Sequence, residues 1–455
     1  MHVEQFYQTT INNALPLLFL SQAACRDGVI KRLSSVEKNT LSSQQFQGVL
    51  GDVVVIVNSN GLPEKIYIGS GENQFDLAIA MALSRIPPGC YLPPQELTAS
   101  GYLIWSLAQY SFDTYKSKAV LPRVLVSAAS VLNTILLQAK AIFLVRDLIN
   151  MPASALGPQA LAQRVALLAK EHHAEFEQWV GDELLRDNFP AIHAVGRAAS
   201  DAPRLLSLTW GDKAHPRVTL VGKGVCFDSG GLDIKPSSAM RFMKKDMGGA
   251  AHVIGLAQWL MGYGLPIRLQ VLIPAVENVI GSNAYRPGDV LTMRNGLTVE
   301  IDNTDAEGRL ILADALVKAC EDKPELLIDF ATLTGAARVA VGTEIAAMFT
   351  DDDALASALS ASSIEMKDPV WRMPLFAGYA GMLDSVIADM TNSSPSSYAG
   401  AITAALFLKR FVTEPISWVH FDMMAWNVGN KPGRPEGGEA MGILAVGQYL
   451  IDRYT

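Results

Sequence analysis

Residues 308–336 read GRLILADALVKACEDKPELLIDFATLTGA, and this stretch decides the fold. Apolar residues recur at helical spacing over 308–321, whereas 325–336 is a short apolar run that ends in a Thr/Gly turn. We therefore predict a helix over 308–321 that leads directly into a buried strand over 325–336. This order is typical of a parallel sheet covered by helices.

The same alternation of helices and strands continues upstream of this unit. The predicted elements are a helix over 158–173, strands over 204–210 and 217–225, a helix over 249–264 and a strand over 267–278. Strands that alternate with helices of this length indicate βαβ units and a largely parallel sheet. In such sheets ligands bind where loops leave the carboxyl ends of the strands.

The chain of 455 residues is too long for one compact core, so we predict more than one domain. The first third mixes short β-rich runs with helical patterns, and 87–95 contains four prolines and is predicted as an extended loop. A long helical stretch ends at Pro152. We assign 1–125 to a smaller N-terminal α/β domain and 126–152 to a connecting helix. The larger C-terminal α/β domain, 153–455, would hold a mostly parallel mixed sheet flanked by helices.

Composition restricts the functional classes. With 49% apolar and 18% charged residues the chain is globular, and its net charge of -8 speaks against a nucleic-acid partner. The four cysteines form no CxxC pair, which indicates reduced thiols in a cytoplasmic protein. The apolar segment 14–25 has no basic residues before it and is interrupted by Pro16. We predict a buried strand and loop there, and no membrane association.

The segment VGKGVCFDSGGLDIKP (221–236) places charged residues among glycines at a predicted strand end. A phosphate loop would need a Gly where Arg217 stands and a Ser/Thr where Gly224 stands, so that interpretation fails. In a purely structural interpretation, Lys223 and Asp228 form an ion pair and Asp246 caps a helix that starts at Gly248. The alternative is that these residues and Lys235 form a site.

The segment NTDAEGRLILAD (303–314) also has two interpretations. Thr304 and Glu307 fit the pattern of a helix capping box. Alternatively, Asp305 and Glu307 lie in an extended turn and face the same cations, the helix starts near Gly308, and Arg309 projects from its first turn into the site.

Counting the carboxylates favours the second interpretation. Asp228, Asp246, Asp305 and Glu307 would repel one another unless cations compensate their charges. Four carboxylates suffice for two metals about 3.5–4 Å apart, as in two-metal hydrolases. The seven histidines fall outside these motifs, which disfavours a histidine-based zinc site. Among them, His193, His252 and His420 are predicted to be structural.

These motifs together resemble the leucine aminopeptidase family of cytosolic di-metal peptidases. The resemblance rests on GKGVCFDSGG (222–231), IKP (234–236), DMGGAA (246–251) and NTDAEGRLILADAL (303–316), and covers roughly residues 140–450. It implies two divalent cations per subunit, zinc or manganese, with magnesium as an option at one site. The implied ligands are Lys223, Asp228, Asp246, Asp305 and Glu307, with Asp228 and Glu307 bridging the two cations.

The resemblance also implies catalytic roles. Lys235 would polarise the scissile carbonyl, and Arg309 would hold a bicarbonate that acts as general base for a metal-bridging water. The implied substrates are peptides with a free N-terminus, and the implied assembly is a homohexamer. The first-residue pocket and backbone contacts would involve Met243, Thr332, Leu333 and Gly335, although Met243 also fits simple core packing.

One region departs from the family pattern. Residues 420–442 contain Trp426 and a Gly/Pro/Glu-rich loop in place of the usual Ala-Gly pair, which puts a preference for leucine in question. Two other functions stay open from sequence: a two-metal phosphoester hydrolase, and a non-enzymatic DNA-binding regulator.

Overall fold

The computed structural model describes residues 2–116 and 121–455, and the chain divides into two compact units. The first unit extends to Phe143 and includes Gly429–Glu436. The second comprises Leu144–Val428 and Gly437–Thr455. The domain limits at 125 and 152 stay a prediction.

The first unit is a small α/β domain. Its elements are β1 (Tyr7–Gln8), β2 (Leu15–Leu20), α1 (Gln22–Arg26), α2 (Ser35–Ser43), β3 (Val53–Val57), β4 (Pro63–Gly69), α3 (Phe75–Ala82), β5 (Gly89–Leu92), α4 (Ala99–Leu107) and β6 (Arg123–Val126). The strands are ordered β1-β6-β5-β2-β4-β3 and pair in parallel, apart from the antiparallel β3.

The prediction of an extended loop over 87–95 was wrong for the residues in the middle of this segment. Gly89–Leu92 forms strand β5, which pairs with β2 and β6. The four prolines lie just outside the paired residues, where their missing N–H groups remove no hydrogen bond from the sheet. Pairing with β2 and β6 thus determines the extended conformation of Gly89–Leu92, and the local composition does not reveal this pairing.

Helix α5 (Ala129–Asn150) ends two residues before Pro152, as predicted. Among the described residues, α5 is long and apolar enough to cross a membrane by length and composition. Half of its most apolar segment is nevertheless buried within the protein, and the core helix of a soluble protein meets the same criterion.

The second unit contains the remaining elements. Its helices are α6 (Pro158–Glu171), α7 (Glu183–Arg186), α8 (Pro190–Gly196), α9 (Ser237–Met240), α10 (Gly248–Tyr263), α11 (Glu307–Glu321), α12 (Gly335–Val341), α13 (Asp353–Glu365), α14 (Gly400–Lys409) and α15 (Ile443–Tyr454). Its first strands are β7 (Glu175–Val180), β8 (Arg204–Trp210), β9 (Arg217–Gly222), β10 (Gly224–Asp228), β11 (Arg268–Asn278), β12 (Val290–Thr292) and β13 (Thr298–Glu300). The later strands are β14 (Leu326–Ala331), β15 (Ala346–Phe349), β16 (Val370–Arg372), β17 (Met390–Thr391), β18 (Ser417–Asp422), β19 (Trp426–Asn427) and β20 (Gly437–Gly438).

The large sheet of this unit is mixed and mostly parallel. Its order is β16-β15-β18-β14-β9-β11-β8-β7, and β10 continues β9 alongside β11. The central strands β18, β14, β9 and β11 run parallel to one another, whereas β15, β8 and β7 are antiparallel to their inner neighbours. The predicted fold class, α/β with a mostly parallel mixed sheet flanked by helices, is confirmed.

Most residues of helix α11 are buried. Leu310, Ile311 and Leu316 on α11 belong to one apolar core with Val221 of β9 and Leu272 of β11. Replacing a fully buried leucine by alanine typically costs about 2–5 kcal/mol of stability. This packing fixes the first turn of α11, which begins at Glu307.

The carboxyl ends of the central strands meet at one edge of the sheet. Asp228 ends β10, Asn278 ends β11, Asp422 ends β18, and Thr332 directly follows β14. Helix α10 starts very close to this edge: a Cβ on Gly249 would lie 2.0 Å from Phe330 O and 2.6 Å from Lys223 N. Only glycine permits that approach, which brings the start of α10 against the strand ends.

Candidate metal centre

The structure brings all five predicted ligands together at this edge. Lys223 lies between β9 and β10, and Asp228 ends β10; Asp246 lies two residues before α10, and Asp305 and Glu307 lie at the start of α11. Lys235 follows on the loop after β10 and reaches the same cluster.

Lys223 is buried within this cluster. Its Nζ lies 2.7 Å from Asp246 Oδ2 and 2.9 Å from Glu307 Oε1, and it donates a 3.1 Å hydrogen bond to Thr332 O. Burial alone lowers the pKa of the Lys223 ammonium, but the neighbouring carboxylates outweigh burial and raise that pKa. A Cβ on Gly308 would lie 2.4 Å from Lys223 Cε, so the lysine needs glycine at this position.

Lys235 forms the second ion-pair group of the site. Its Nζ lies 2.8 Å from Asp228 Oδ2 and also pairs with Asp305 Oδ1. Burial lowers the pKa of Lys235, but Asp228 and Glu307 more than compensate and raise it, so this side chain is an ammonium at neutral pH. The structural alternative, in which Lys223 pairs with Asp228, is wrong. Lys223 pairs with Asp246 and Glu307, and Asp228 pairs with Lys235.

Three carboxylates form a compact group of potential cation ligands. Asp228, Asp305 and Glu307 each offer an oxygen, and these oxygens lie within 4.8 Å of one another. Burial and the neighbouring Asp228 raise the pKa of Glu307 to about 8, and burial and Asp246 raise the pKa of Asp228 to about 6. Within the described part of the chain, the buried Glu307 Oε2 has no hydrogen-bond partner. Clustered acids and an unpartnered buried oxygen suit divalent cations.

Hydrogen bonds from neighbouring strands orient two of these carboxylates. Asp228 Oδ1 accepts from Asn278 Nδ2 and from Gly230 N, both at 2.9 Å. Asp246 Oδ1 accepts from Thr332 Oγ1 at 2.7 Å. The N-cap of α10 is Met247 and no side chain caps this helix, so Asp246 is not a helix cap. Such outer partners fix the direction in which a ligand oxygen points.

The NTDAEGR segment contains no capping box. The N-cap of α11 is Ala306, without a side-chain cap. Thr304 Oγ1 instead donates to Gly230 O at 2.6 Å and accepts from Asp233 N at 2.9 Å. The helix starts at Glu307, one residue before the predicted Gly308, so Glu307 is a helical residue that faces the site.

Arg309 lies in the first turn of α11 and is almost completely buried. Its Nη1 donates to Asn392 O at 2.8 Å, whereas its buried Nε has no partner among the described residues. Burial lowers the pKa of the Arg309 guanidinium to about 10, which leaves it charged at neutral pH. A buried cation with an unused donor is suited to bind an anion.

The residues predicted for substrate contacts lie next to the cluster. Met243 is buried in a short 3₁₀ helix (Met243–Lys245) directly before Asp246. Thr332 contacts both Asp246 and Lys223, Leu333 follows it half-buried, and Gly335 begins α12.

Sequence reasoning missed several residues that support this site. Asp422 accepts from Leu333 N at 3.0 Å, from Thr334 N at 3.1 Å and from Thr334 Oγ1 at 2.6 Å, and thereby holds the loop after β14. Asn278 and Asp422 both end strands of the central sheet, and a search for polar residues at strand ends would have found them. Asn392 lies in a polar loop, where the sequence offers no comparable signal.

Two histidines predicted to be structural are fully buried and bonded. His252 Nδ1 lies 2.6 Å from Gly248 O, and its Nε2 accepts from Met441 N at 2.9 Å. His420 Nδ1 lies 2.5 Å from Asp329 Oδ1. Both rings serve the packing around the sheet.

The segment 420–442, which departs from the family pattern, has residues in both compact units. Trp426 and Asn427 form β19, which pairs with β20, whereas Gly429–Glu436 belongs to the first unit. Trp426 is buried, and Lys244 Nζ lies 5.5 Å from the centroid of its ring. Phe242 packs against the same ring at 5.6 Å.

Carboxylates and lysines gathered at the carboxyl edge of a mostly parallel sheet define a class of α/β enzymes whose site suits divalent cations. Residues 143–446 match the family model described as the cytosol aminopeptidase family, catalytic domain. The chain belongs to this family, and it is a peptide hydrolase.

Relatives in sequence agree with this family. Peptidase B of Enterobacter sp. (strain 638) is 45% identical over 318 residues, which are 67% of this chain and 74% of that protein. A probable cytosol aminopeptidase of Chlamydia caviae is 44% identical over 318 residues, 68% of this chain and 64% of that protein. Neither relative supports the phosphoester hydrolase or the DNA-binding regulator.

Solved structures agree as well. The cytosol aminopeptidase of Coxiella burnetii is 44% identical, covers 99% of both chains and superimposes with a TM-score of 0.95. The bottromycin maturation enzyme BotP in complex with Mn is 32% identical, covers 98% of this chain and 100% of its own, and gives a TM-score of 0.87. The family is metal-dependent, and a manganese complex occurs among the solved structures that are similar to this chain.

Proposed function

We propose that this protein is a di-metal aminopeptidase that releases the first residue from peptides with a free N-terminus. The observation that carries the proposal is the group of Asp228, Asp305 and Glu307 oxygens within 4.8 Å of one another. Lys235 lies beside this group as a polarising cation. Bound metal, to activate water, and the Lys235 ammonium, to polarise the carbonyl, would then act at one position in amide hydrolysis.

Two divalent cations, zinc or manganese with magnesium as an option at one site, fit the donor set. Lys223, Asp228, Asp246, Asp305 and Glu307 would hold them, with Asp228 and Glu307 as the bridging carboxylates. When bound, the two cations would lower the pKa of the attacking water and polarise the substrate carbonyl. The unpartnered Glu307 Oε2 supports this assignment.

Lys223 would act as a neutral ligand. The carboxylates that raise its pKa are the same groups that would bind the cations. With those carboxylates engaged by cations, Lys223 would lose the field that favours its ammonium form and would lie next to positive charge. Lys223 would therefore give up a proton when metal binds.

Lys235 would remain protonated and donate to the oxygen of the scissile carbonyl as negative charge develops there. Its position beside Asp228 and Asp305 supports this role, and its side chain is less buried than that of Lys223, 13% against 3% exposed. A preorganised donor of this kind stabilises the developing charge more in the transition state than in the bound substrate.

Arg309 would hold a bicarbonate ion that accepts a proton from the nucleophilic water. Support comes from its burial, its position two residues after Glu307 and its unused Nε donor. Such an anion supplies the general base without a histidine.

Recognition of the substrate would use the free α-amine and the loop after β14. The amine can coordinate one cation, so only the first peptide bond is positioned for hydrolysis. Thr332, Leu333 and Gly335 would provide backbone contacts, and Met243 would contribute to the first-residue pocket. The preferred first residue is left open, because Trp426 and its surroundings differ from the family pattern.

We also propose that the enzyme is cytoplasmic and assembles as a homohexamer. Several large apolar side chains of the second unit are exposed: Val386 by 99%, Tyr398 by 80%, Trp371 by 64% and Phe376 by 54%. Exposed apolar side chains of this size are ones that an interface between subunits would cover. Analytical ultracentrifugation tests the assembly: a hexamer is expected, and a monomer would contradict the proposal.

The proposed reaction is tested with aminoacyl-coumarin substrates in the presence of Zn²⁺, Mn²⁺ or Mg²⁺. Metal-dependent release of coumarin is expected. A nitrophenyl phosphodiester in parallel reactions reports on the alternative chemistry. Turnover of the phosphodiester without turnover of any aminoacyl amide would contradict the proposal.

A further inference from the structure

Asn392 reaches the candidate site from a small separate sheet. Strand β17 pairs in parallel with β13, with Glu300 opposite Thr391, and β13 pairs with β12. Asn392 directly follows β17 and is fully buried, and its N–H donates to Glu300 O at 2.9 Å. The small sheet thus places Asn392 beside the segment that leads from β13 to α11.

The side chain of Asn392 makes four hydrogen bonds with the backbone of that segment. Its Oδ1 accepts from Asp302 N at 2.9 Å and from Asn303 N at 3.2 Å. Its Nδ2 donates to Asn303 O at 2.7 Å and to Ala306 O at 3.3 Å. Two donors and two acceptors of the backbone permit only this orientation of the amide, and an Asp or Leu of similar size could not make all four hydrogen bonds.

The segment held in this way contains the predicted ligands. Asp305 lies within it, and Glu307 follows Ala306 directly. Its middle residue, Thr304, has other anchors, since Tyr285 Oη donates to Thr304 O at 2.6 Å and Asp233 Oδ2 accepts from Thr304 N at 2.7 Å. Asn303, before Thr304, and Ala306, after it, are bonded to the side chain of Asn392.

The main chain of Asn392 also holds Arg309. The carbonyl of Asn392 accepts from Arg309 Nη1 at 2.8 Å. This is the direct bond that fixes the direction of the buried guanidinium, whose Nε has no partner within the described ranges. A single residue therefore bonds to the ligand segment through its side chain and to Arg309 through its carbonyl.

We propose that Asn392 is a positioning residue that sets the Asp305–Glu307 ligand segment and Arg309 in register with each other. It is not one of the proposed cation ligands and acts through the groups that it holds. The inference rests on the proposed function, because it assigns a purpose to the geometry of the proposed ligands. Residues that orient ligands typically contribute about 10–100-fold to metal affinity or activity.

The test compares Asn392→Ala and Asn392→Ser with a matched control, Asp389→Asn. Asp389 directly precedes strand β17 of the same small sheet and accepts from Thr298 N at 2.8 Å and from Thr298 Oγ1 at 2.7 Å, but it is exposed. Each metal-stripped full-length protein is titrated with Mn²⁺ in a calorimeter, and kcat and KM are measured for an aminoacyl-coumarin.

Both Asn392 variants are expected to bind Mn²⁺ about 10–100-fold more weakly at one site or both, with a comparable loss in kcat and little change in KM. Asp389→Asn is expected to match the wild type. Hydrogen exchange should accelerate at Asp302 and Asn303 in the Asn392 variants alone, because these amides lose their acceptor. If the alanine variant fails to fold, the serine variant provides the test, since its hydroxyl keeps a polar group in the buried space.

Mn²⁺ affinity and kcat equal to those of the wild type in a folded Asn392 variant would overturn the inference. An equal loss in Asp389→Asn would also overturn it, because the effect would then belong to the small sheet as a whole. A wild-type protein that binds no Mn²⁺ and cleaves no amide would instead refute the proposed function, so the two failures are distinguishable.

Discussion

The ammonium of Lys223 lies 2.9 Å from Glu307 Oε1, and both side chains are almost completely buried. The contact joins the break between β9 and β10 to the first residue of α11. It exists because Gly308, the next residue of that helix, leaves space for the aliphatic part of the lysine. Metal binding, in our account, depends on this close fit.

Gly308→Ala tests that dependence. The added Cβ would lie 2.4 Å from Lys223 Cε, so Lys223 must move away from Glu307 and Asp246. We expect Mn²⁺ affinity and kcat to fall by about 10-fold or more, in line with the loss of a ligand-orienting contact. Calorimetric titration and steady-state kinetics measure these losses, and an alanine variant with wild-type affinity would contradict the role of Lys223.

Lys235→Ala removes the proposed donor to the developing oxyanion. We expect kcat to fall by about 10²–10³-fold, the usual loss for an oxyanion donor, with a smaller change in KM. Lys235→Arg serves as the matched control because it retains the charge, and it should recover part of the rate. Turnover that survives in the alanine variant would show that the role of Lys235 is wrongly assigned.

Chelation should inactivate the enzyme reversibly. A strong chelator is expected to abolish hydrolysis of aminoacyl-coumarins, and added Mn²⁺ or Zn²⁺ should restore it. Because binding deprotonates Lys223 in our account, metal titration in a weakly buffered solution should release protons. Full activity in metal-free protein, verified by elemental analysis, would exclude the di-metal mechanism.

The stability of the protein should fall at mildly acidic pH because of His252. Burial lowers the pKa of this histidine to about 4, and its ring donates to Gly248 O and accepts from Met441 N–H, which requires the neutral form. In the unfolded chain its pKa returns to about 6.5, so the unfolded state binds an extra proton between these values. The contribution is fully present above the unfolded value and is lost as the pH falls toward 4.

At pH 5 this group should cost about 2 kcal/mol of unfolding free energy relative to pH 7.5. Urea unfolding gives the free energy of unfolding of the wild type and of His252→Gln at both pH values. The loss between pH 7.5 and pH 5 is then compared between the two proteins. The wild type should lose more stability than the variant. Equal losses in both proteins would show that His252 does not titrate in this way.

The sequence predicted the central part of the fold well. The alternation from 204 to 336 identified the main strands within a few residues, because buried strands and amphipathic helices have characteristic periods. The proposed ligands could be singled out because Asp305 and Glu307, like Lys223 and Asp228, are close in sequence and share a distinctive motif. The start of α11 was misplaced by one residue, which lies within the ordinary uncertainty of helix boundaries.

The remaining features depend on contacts between distant residues. Asn392 bonds to Asp302 and Arg309, which lie some 80 to 90 positions away in the chain. Local patterns carry no information about such pairs, and β5 was missed for the same reason. The ion-pair partners of Lys223 and Lys235 were also unpredictable, since they depend on which carboxylate each strand end brings within reach.

The most direct test of the central claim compares leucyl-coumarin with N-acetyl-leucyl-coumarin in the presence of Mn²⁺. If a free α-amine must coordinate a cation to position the first amide bond, only the unblocked substrate should be hydrolysed. Equal hydrolysis of the acetylated substrate would contradict the account.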